Sequence, residues 1–168
     1  IGESSLQFPK KGINKFTIEP IAVKSGDFLG IFQQNGGSVA YKLIDNDYKR
    51  ADGDFTGKDI ISKENVGPNN FFSSTERVYA IRAEVKNEQP ISENFAGNEL
   101  KDYGKEDTFK NSYLVDTNNP VKEDGIIDSF EIYARTKNPL RLVIYRGKGK
   151  DMKMVHESRL QFPIVGEN

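Results

Sequence analysis

At 168 residues, 36% of them hydrophobic, the chain has enough apolar side chains for one ordinary domain with a sizeable core, and is short for two. Lys and Arg (24) nearly balance Asp and Glu (25), so no net field recruits nucleic acid or an anionic membrane surface. No apolar run approaches the about 18 residues of a membrane span, no basic start followed by an apolar stretch marks a signal peptide, and the lack of cysteine excludes a disulfide scaffold, a thiolate zinc site and a cysteine nucleophile. A soluble segment without membrane insertion is expected, and without any Asn-x-Ser/Thr sequon it is not heavily N-glycosylated.

The chain begins and ends on nearly the same phrase. "ESSLQFPKKGIN" (3–14) and "ESRLQFPIVGEN" (157–168) agree at eight of twelve positions, at a constant offset of 154. Joined head to tail, the second copy runs straight into "KFTIEP" of a following unit. The expected organisation is one repeat unit over 1–154, with 155–168 an overhang that repeats 1–14, either the start of a next repeat or a final strand. A period this long exceeds that of solenoids, so each unit should fold as its own globular domain in an array. An internal duplication surviving only at the ends, or a permuted junction, gives the same echo.

Strands and turns follow in order. "NKFTIEPIAV" (14–23) reads as a β run broken by Pro20, "KSGD" as a turn, "DFLGIFQQ" as a second strand and "NGG" as a second turn. "SVAYKLI" (38–44) alternates Val39, Tyr41 and Leu43 against Ser38, Ala40 and Lys42. "ERVYAIRAEV" (76–85) sets Val78, Ala80 and Arg82 on one face and Tyr79, Ile81, Ala83 and Val85 on the other, as one strand with a buried side. Residues 87–111 are polar and interrupted by Pro90, Gly97 and Gly104, which fits a long decorated loop or short irregular strands. "DSFEIYART" alternates Phe130, Ile132 and Ala134 against Ser129, Glu131 and Tyr133, and "PLRLVIYR" alternates Leu140, Leu142 and Ile144 against Arg141, Val143 and Tyr145. "GKGK" (147–150) closes a hairpin onto "DMKMVHESRLQF". With no helical stripe longer than a turn or two, the fold class is all-β: an antiparallel β-sandwich, jelly-roll-like.

Two acidic stretches are the main chemical signal. "DNDYKRADGDFTGKD" holds Asp45, Asp47, Asp52 and Asp54 with Asn46, Asp59, Gly53 and Gly57, a density of hard oxygen donors that suits Ca²⁺. It is not an EF-hand, because the strict loop pattern and its flanking helices are missing. "VDTNNPVKEDGIIDSFEIY" adds Asp116 and Asp124 before a strand, as a second set of metal ligands. Each stretch also suits a solvated turn, since Asp, Asn and Gly dominate turns without metal. An ion bound there would be structural, removing the repulsion among massed carboxylates.

Other chemistry is thin. His156 is the only histidine and falls in a strand; the Gly-containing turns lack the strand-loop-helix setting of a phosphate cradle. Carboxylates are plentiful, but nothing places two at the separation glycoside hydrolysis requires, so no enzyme activity is expected. Phe71 and Phe72 in "NNFFSS", with the tyrosines, are a candidate sugar platform, or core and loop-covering residues.

"PIAVKSGDFLGIF", "DGIIDSFEIYA" and "PLRLVIYR" together resemble the β-sandwich repeats of secreted or cell-surface proteins, in which a strand precedes a Gly-Asp turn; the resemblance covers 18–44 and 124–145. It implies an extracellular or cell-surface, often calcium-associated, adhesive or matrix module without catalysis. The expected partners are adjacent copies of the domain and a glycan or surface protein, with no nucleic acid. A carbohydrate-binding, lectin-like module on a jelly-roll scaffold is the alternative.

Overall fold

The computed structural model describes residues 11–43, 59–63, 71–75, 77–87, 94–106, 108, 110–117, 119–147 and 151–161, with only the backbone of 59–63 and 71–75. Thirteen strands lie in this part, and no α-helix: β1 (Gly12–Val23), β2 (Phe28–Gln33), β3 (Ala40–Leu43), β4 (Asp59–Lys63), β5 (Phe71–Thr75), β6 (Arg77–Tyr79), β7 (Ile81–Glu84), β8 (Phe95–Gly97), β9 (Lys105–Glu106), β10 (Ser112–Val115), β11 (Gly125–Ala134), β12 (Leu140–Arg146) and β13 (Lys153–Glu157). Every strand pairing is antiparallel. One sheet runs β1-β11-β7-β8, a second β13-β12-β2-β10-β4-β5, and a short third β6-β3-β9.

The first two sheets share one core. Phe16, Ile18, Ile21 and Val23 of β1 and Ile127, Phe130 and Ile132 of β11 meet Leu29 and Ile31 of β2, Leu114 of β10 and Leu142 and Ile144 of β12. The register places Phe16 directly across from Phe130, their ring centroids 5.0 Å apart, so an aromatic cross-strand pair anchors the centre of the four-stranded sheet. The expected alternation holds in β11, where Phe130, Ile132 and Ala134 face inward, and through β7 to the residue after it, where Ile81, Ala83 and Val85 are buried and Arg82 and Glu84 are not.

Pro20 does not end the first strand. The register on β11 steps from Ser129 to Ile127 while β1 advances from Thr17 to Ile21, so a bulge absorbs the extra residues. A bulge accommodates a residue that lacks an N–H, and here it also resets the alternation so that both Ile18 and Ile21 are buried. The 24–27 turn then carries the chain from the first sheet to the second. Asp27 N–H donates to Lys24 O (3.0 Å), the Asp27 carboxylate accepts Lys24 N–H (2.8 Å), and Gly26 supplies the positive φ (88°) at the third turn position.

Sequence and structure part at two further elements. The single strand expected over 76–85 is two: Tyr79 pairs with Tyr41 in the third sheet, Ile81 pairs with Ile132 in the first, and the chain changes sheets at Ala80. In β3 the face pattern shifts, because Val39 and Ala40 are both buried while Leu43 is 53% exposed; Val39 bridges Ala134 and Ala40 O accepts Ala80 N–H, so that end packs where two sheets meet. The 87–111 stretch contributes two short strands, β8 and β9, within its described part.

Along β2, β10 and β12 the six-stranded sheet is apolar on both faces. Phe32, Tyr113, Val115, Val143, Tyr145 and Met152 form a second buried cluster on the side away from the main core. β12 therefore reads as a nearly continuous apolar run, Leu140 to Tyr145 interrupted only by Arg141, because it is buried from both directions. Gly30 sits at the middle of that side, where an added Cβ would stand 2.6 Å from Leu114 O. The expected hairpin is present, with β13 antiparallel to β12 from Arg146↔Lys153 to Val143↔Glu157.

Candidate binding face on the four-stranded sheet

The outward side of the first sheet is built by period-two alternation on four strands. β1 directs Phe16 inward and Lys15 and Thr17 outward; β11 directs Phe130 inward and Glu131 outward. Register then aligns Lys15, Glu131, Arg82 and Gly97 in one row across the sheet. Glu84 faces Phe95 in the neighbouring row.

Lys15, Arg82, Glu84, Phe95, Ser129, Phe130 and Glu131 line a cavity of about 220 Å³ on this side. Arg82 organises it: Nε donates to Glu131 Oε2 (2.8 Å), and its guanidinium lies 4.6 Å from the centroid of Phe95, a cation-π distance. Gly97 lets β8 approach, since its φ is 90° and a Cβ there would be 2.3 Å from Ile81 O. The arrangement offers guanidinium and ammonium donors, carboxylate acceptors and an aromatic ring within one small cavity, a combination that suits a polar, hydroxyl-rich ligand.

The other polar clusters tie elements together. Arg146 grips Asp27 with both arms, Nε to Oδ1 and Nη2 to Oδ2, each 2.7 Å, and this bond to Asp27 raises the pKa of Arg146 above its ordinary value. Arg135 binds Asp102 and Glu106 across the loop between β8 and β9. Burial pushes the Asp102 carboxyl upward, but the Gly104 N–H, Arg135 and Lys11 outweigh it and hold it below the usual aspartate range.

Of the expected metal ligands, Asp45, Asp47, Asp52 and Asp54 lie outside the described residues, as do the side chains of Phe71 and Phe72. Asp116 is buried at the end of β10, where its Oδ2 accepts Tyr79 N–H (3.0 Å) and the Asn98 side-chain amide; Asn98 also donates to Tyr79 O (2.9 Å) and accepts from Asn119. It thereby ties the second sheet to the β6-β7 junction. Asp124 has different surroundings, with its Oδ1 accepting Ser25 N–H (2.9 Å) beside the 24–27 turn. Among the described residues, no three of His, Asp and Glu converge as metal ligands.

Arg82, Glu131 and Phe95 were not singled out by sequence. Arg82 and Glu131 are 49 residues apart, and only the register of β7 on β11 brings them together; the one legible signal was the alternation that turned both outward. Comparison of the chain with protein-family models, with curated proteins and with solved structures finds no match, so the resemblance to secreted and surface β-sandwich repeats rests on the quoted motifs alone.

Proposed function

We propose that the domain is one unit of a tandem array in a large extracellular or cell-surface protein, with a structural or adhesive role and stabilised by calcium. The observation that carries the reading is the echoed phrase taken together with the positions of its two copies. Gln161 still pairs with Leu140 of β12, and Gly166, at the offset of 154, corresponds to Gly12, where β1 begins. In an array only Phe162, Pro163, Ile164 and Val165 would separate the last pairing of one unit from the first strand of the next. Four residues reach at most about 14 Å, and a proline among them stiffens the link, so successive domains would have little freedom to swing. The calcium part of the proposal rests on the oxygen-donor density of 45–59. The coding sequence flanking this chain tests the array: further copies of E-S-x-L-Q-F-P spaced by about 154 residues are expected, and a flank without any would refute it.

The cavity on the four-stranded sheet favours a second reading, a carbohydrate-binding module. Aromatic and charged side chains on one sheet face give sugar hydroxyls both donors and acceptors. Specific binding of the domain on a glycan array, abolished in Arg82→Ala and Phe95→Ala, would support it; no binding above background would remove it.

A further inference from the structure

Beyond the end of β13, residues 158–161 continue along the flank of β12, and the contacts there come from residues that the first copy of the phrase also carries. Glu157 pairs with Val143, and its carboxylate lies 3.2 Å from Arg141 Nη1. Ser158 N–H donates to Leu142 O (2.8 Å), and Ser158 Oγ accepts Leu142 N–H (2.9 Å). Leu140 and Gln161 exchange both backbone hydrogen bonds, at 2.7 and 2.5 Å. Arg159 is exposed and enters this set through its carbonyl, which accepts from Ser158 Oγ and Gln161 Nε2 at 3.0 Å each. Glu3, Ser4, Leu6 and Gln7 repeat Glu157, Ser158, Leu160 and Gln161, and the one difference between 3–9 and 157–163 is Ser5 for Arg159. Among the described residues it falls at the position that contributes only a carbonyl, which every residue has.

We infer that this flank of β12 is a docking site for residues 3–7 of a second copy of this chain. The occupant is added as an edge strand, with main-chain hydrogen bonds giving affinity and the serine hydroxyl, which accepts Leu142 N–H, fixing register. At a junction between units, one phrase closes the six-stranded sheet of the domain before it. After Phe8, Pro9, Lys10 and Lys11 it enters β1 of the domain after it. The natural occurrence of such a junction rests on the array reading, and the fit of the segment to the flank does not.

The test is a two-unit chain in which residues 1–154 are followed directly by the full 168-residue sequence, so that the first unit can complete β12 only with the second unit's 3–7 segment. Amide exchange at Leu140 and Leu142 of an isotope-labelled first unit is compared with the single chain. Docking predicts rates within about tenfold of the single chain, and acceleration of about a hundredfold or more when Ser4→Pro and Gln7→Pro in the second unit remove the donors. Fast exchange at both amides in the unaltered two-unit chain, a first unit that fails to fold while the second folds, or protection that survives both prolines would overturn the inference. Flanking sequence bears on the array alone and these exchange rates on the docking alone, so each can fail without the other.

Discussion

At the scale of single residues, the fold depends on a few positions where geometry leaves no latitude. Gly97 combines a φ of 90° with a Cβ direction that runs into Ile81 O, so Gly97→Ala has to move β8 off β7. A cost of about 2–4 kcal/mol is expected, read as a fall in melting temperature of about 5–15 °C. The Asp27 carboxylate is buried and satisfied by Arg146 and Lys24 N–H. Arg146→Ala leaves that carboxylate short of two donors, and because Arg146 is itself partly solvated the loss should be about 1–3 kcal/mol in urea unfolding. Gln33 has the opposite character, being buried with neither side-chain amide atom hydrogen-bonded among the described residues. Gln33→Met removes the unpaired groups at similar volume and should raise the melting temperature; a decrease would show that the amide has a partner. Asp102 links stability to pH. Its folded pKa is depressed, so the stability it contributes is present above the ordinary aspartate value of about 4 and lost as pH falls through the folded value. Asp102→Asn should therefore flatten the acid limb of a melting-temperature profile below about pH 4 and lower stability at neutral pH.

At the scale of elements, alternation was legible in β7 and β11, where each strand stays in one sheet with one face buried. β7 and β11 bury the residues that the period-two pattern turned inward, since a half-buried strand writes its environment into every second position, whereas β12 is buried on both faces. The pattern failed where a strand leaves its sheet. The 76–85 run looks uniform because Tyr79, Ala80 and Ile81 are all apolar, and they are apolar because the chain passes through the junction of two sheets there. Pro20 misled for the complementary reason: a bulge that hosts proline leaves no separate signature in composition. The candidate binding face was the least legible element. Its residues come from β1, β7, β8 and β11, and register across four strands is a tertiary property that no local window contains. Central strands should also be the slowest to open. Native-state exchange is expected to rank β2, β11 and the middle of β12 above the edge strands β8 and β13, and equal protection in β8 and β11 would argue against the described strand order.

At the scale of the whole molecule, the proposed role joins three features: an all-β fold in which two sheets share one core, an acidic stretch rich in oxygen donors, and a phrase repeated at both ends. In the proposed role, calcium would act on the first through the second. An ion that binds only the folded state adds roughly 2.7 kcal/mol when free calcium is a hundredfold above its Kd, enough to raise the melting temperature by several degrees. Magnesium should do less, because it requires tight octahedral geometry and gives up its waters reluctantly. The Asp52→Asn, Asp54→Asn double variant should lose the calcium increment; identical melting with calcium and with excess chelator in the parent would return the loop to a solvated turn. In the proposed array each domain is joined to its like by a short, stiff link, and small-angle scattering of the two-unit chain reads that stiffness. A stiff link gives one elongated particle with a fixed distance between domain centres, unchanged between low and high salt. A broad distribution of inter-domain distances, as from two beads on a flexible string, would contradict it.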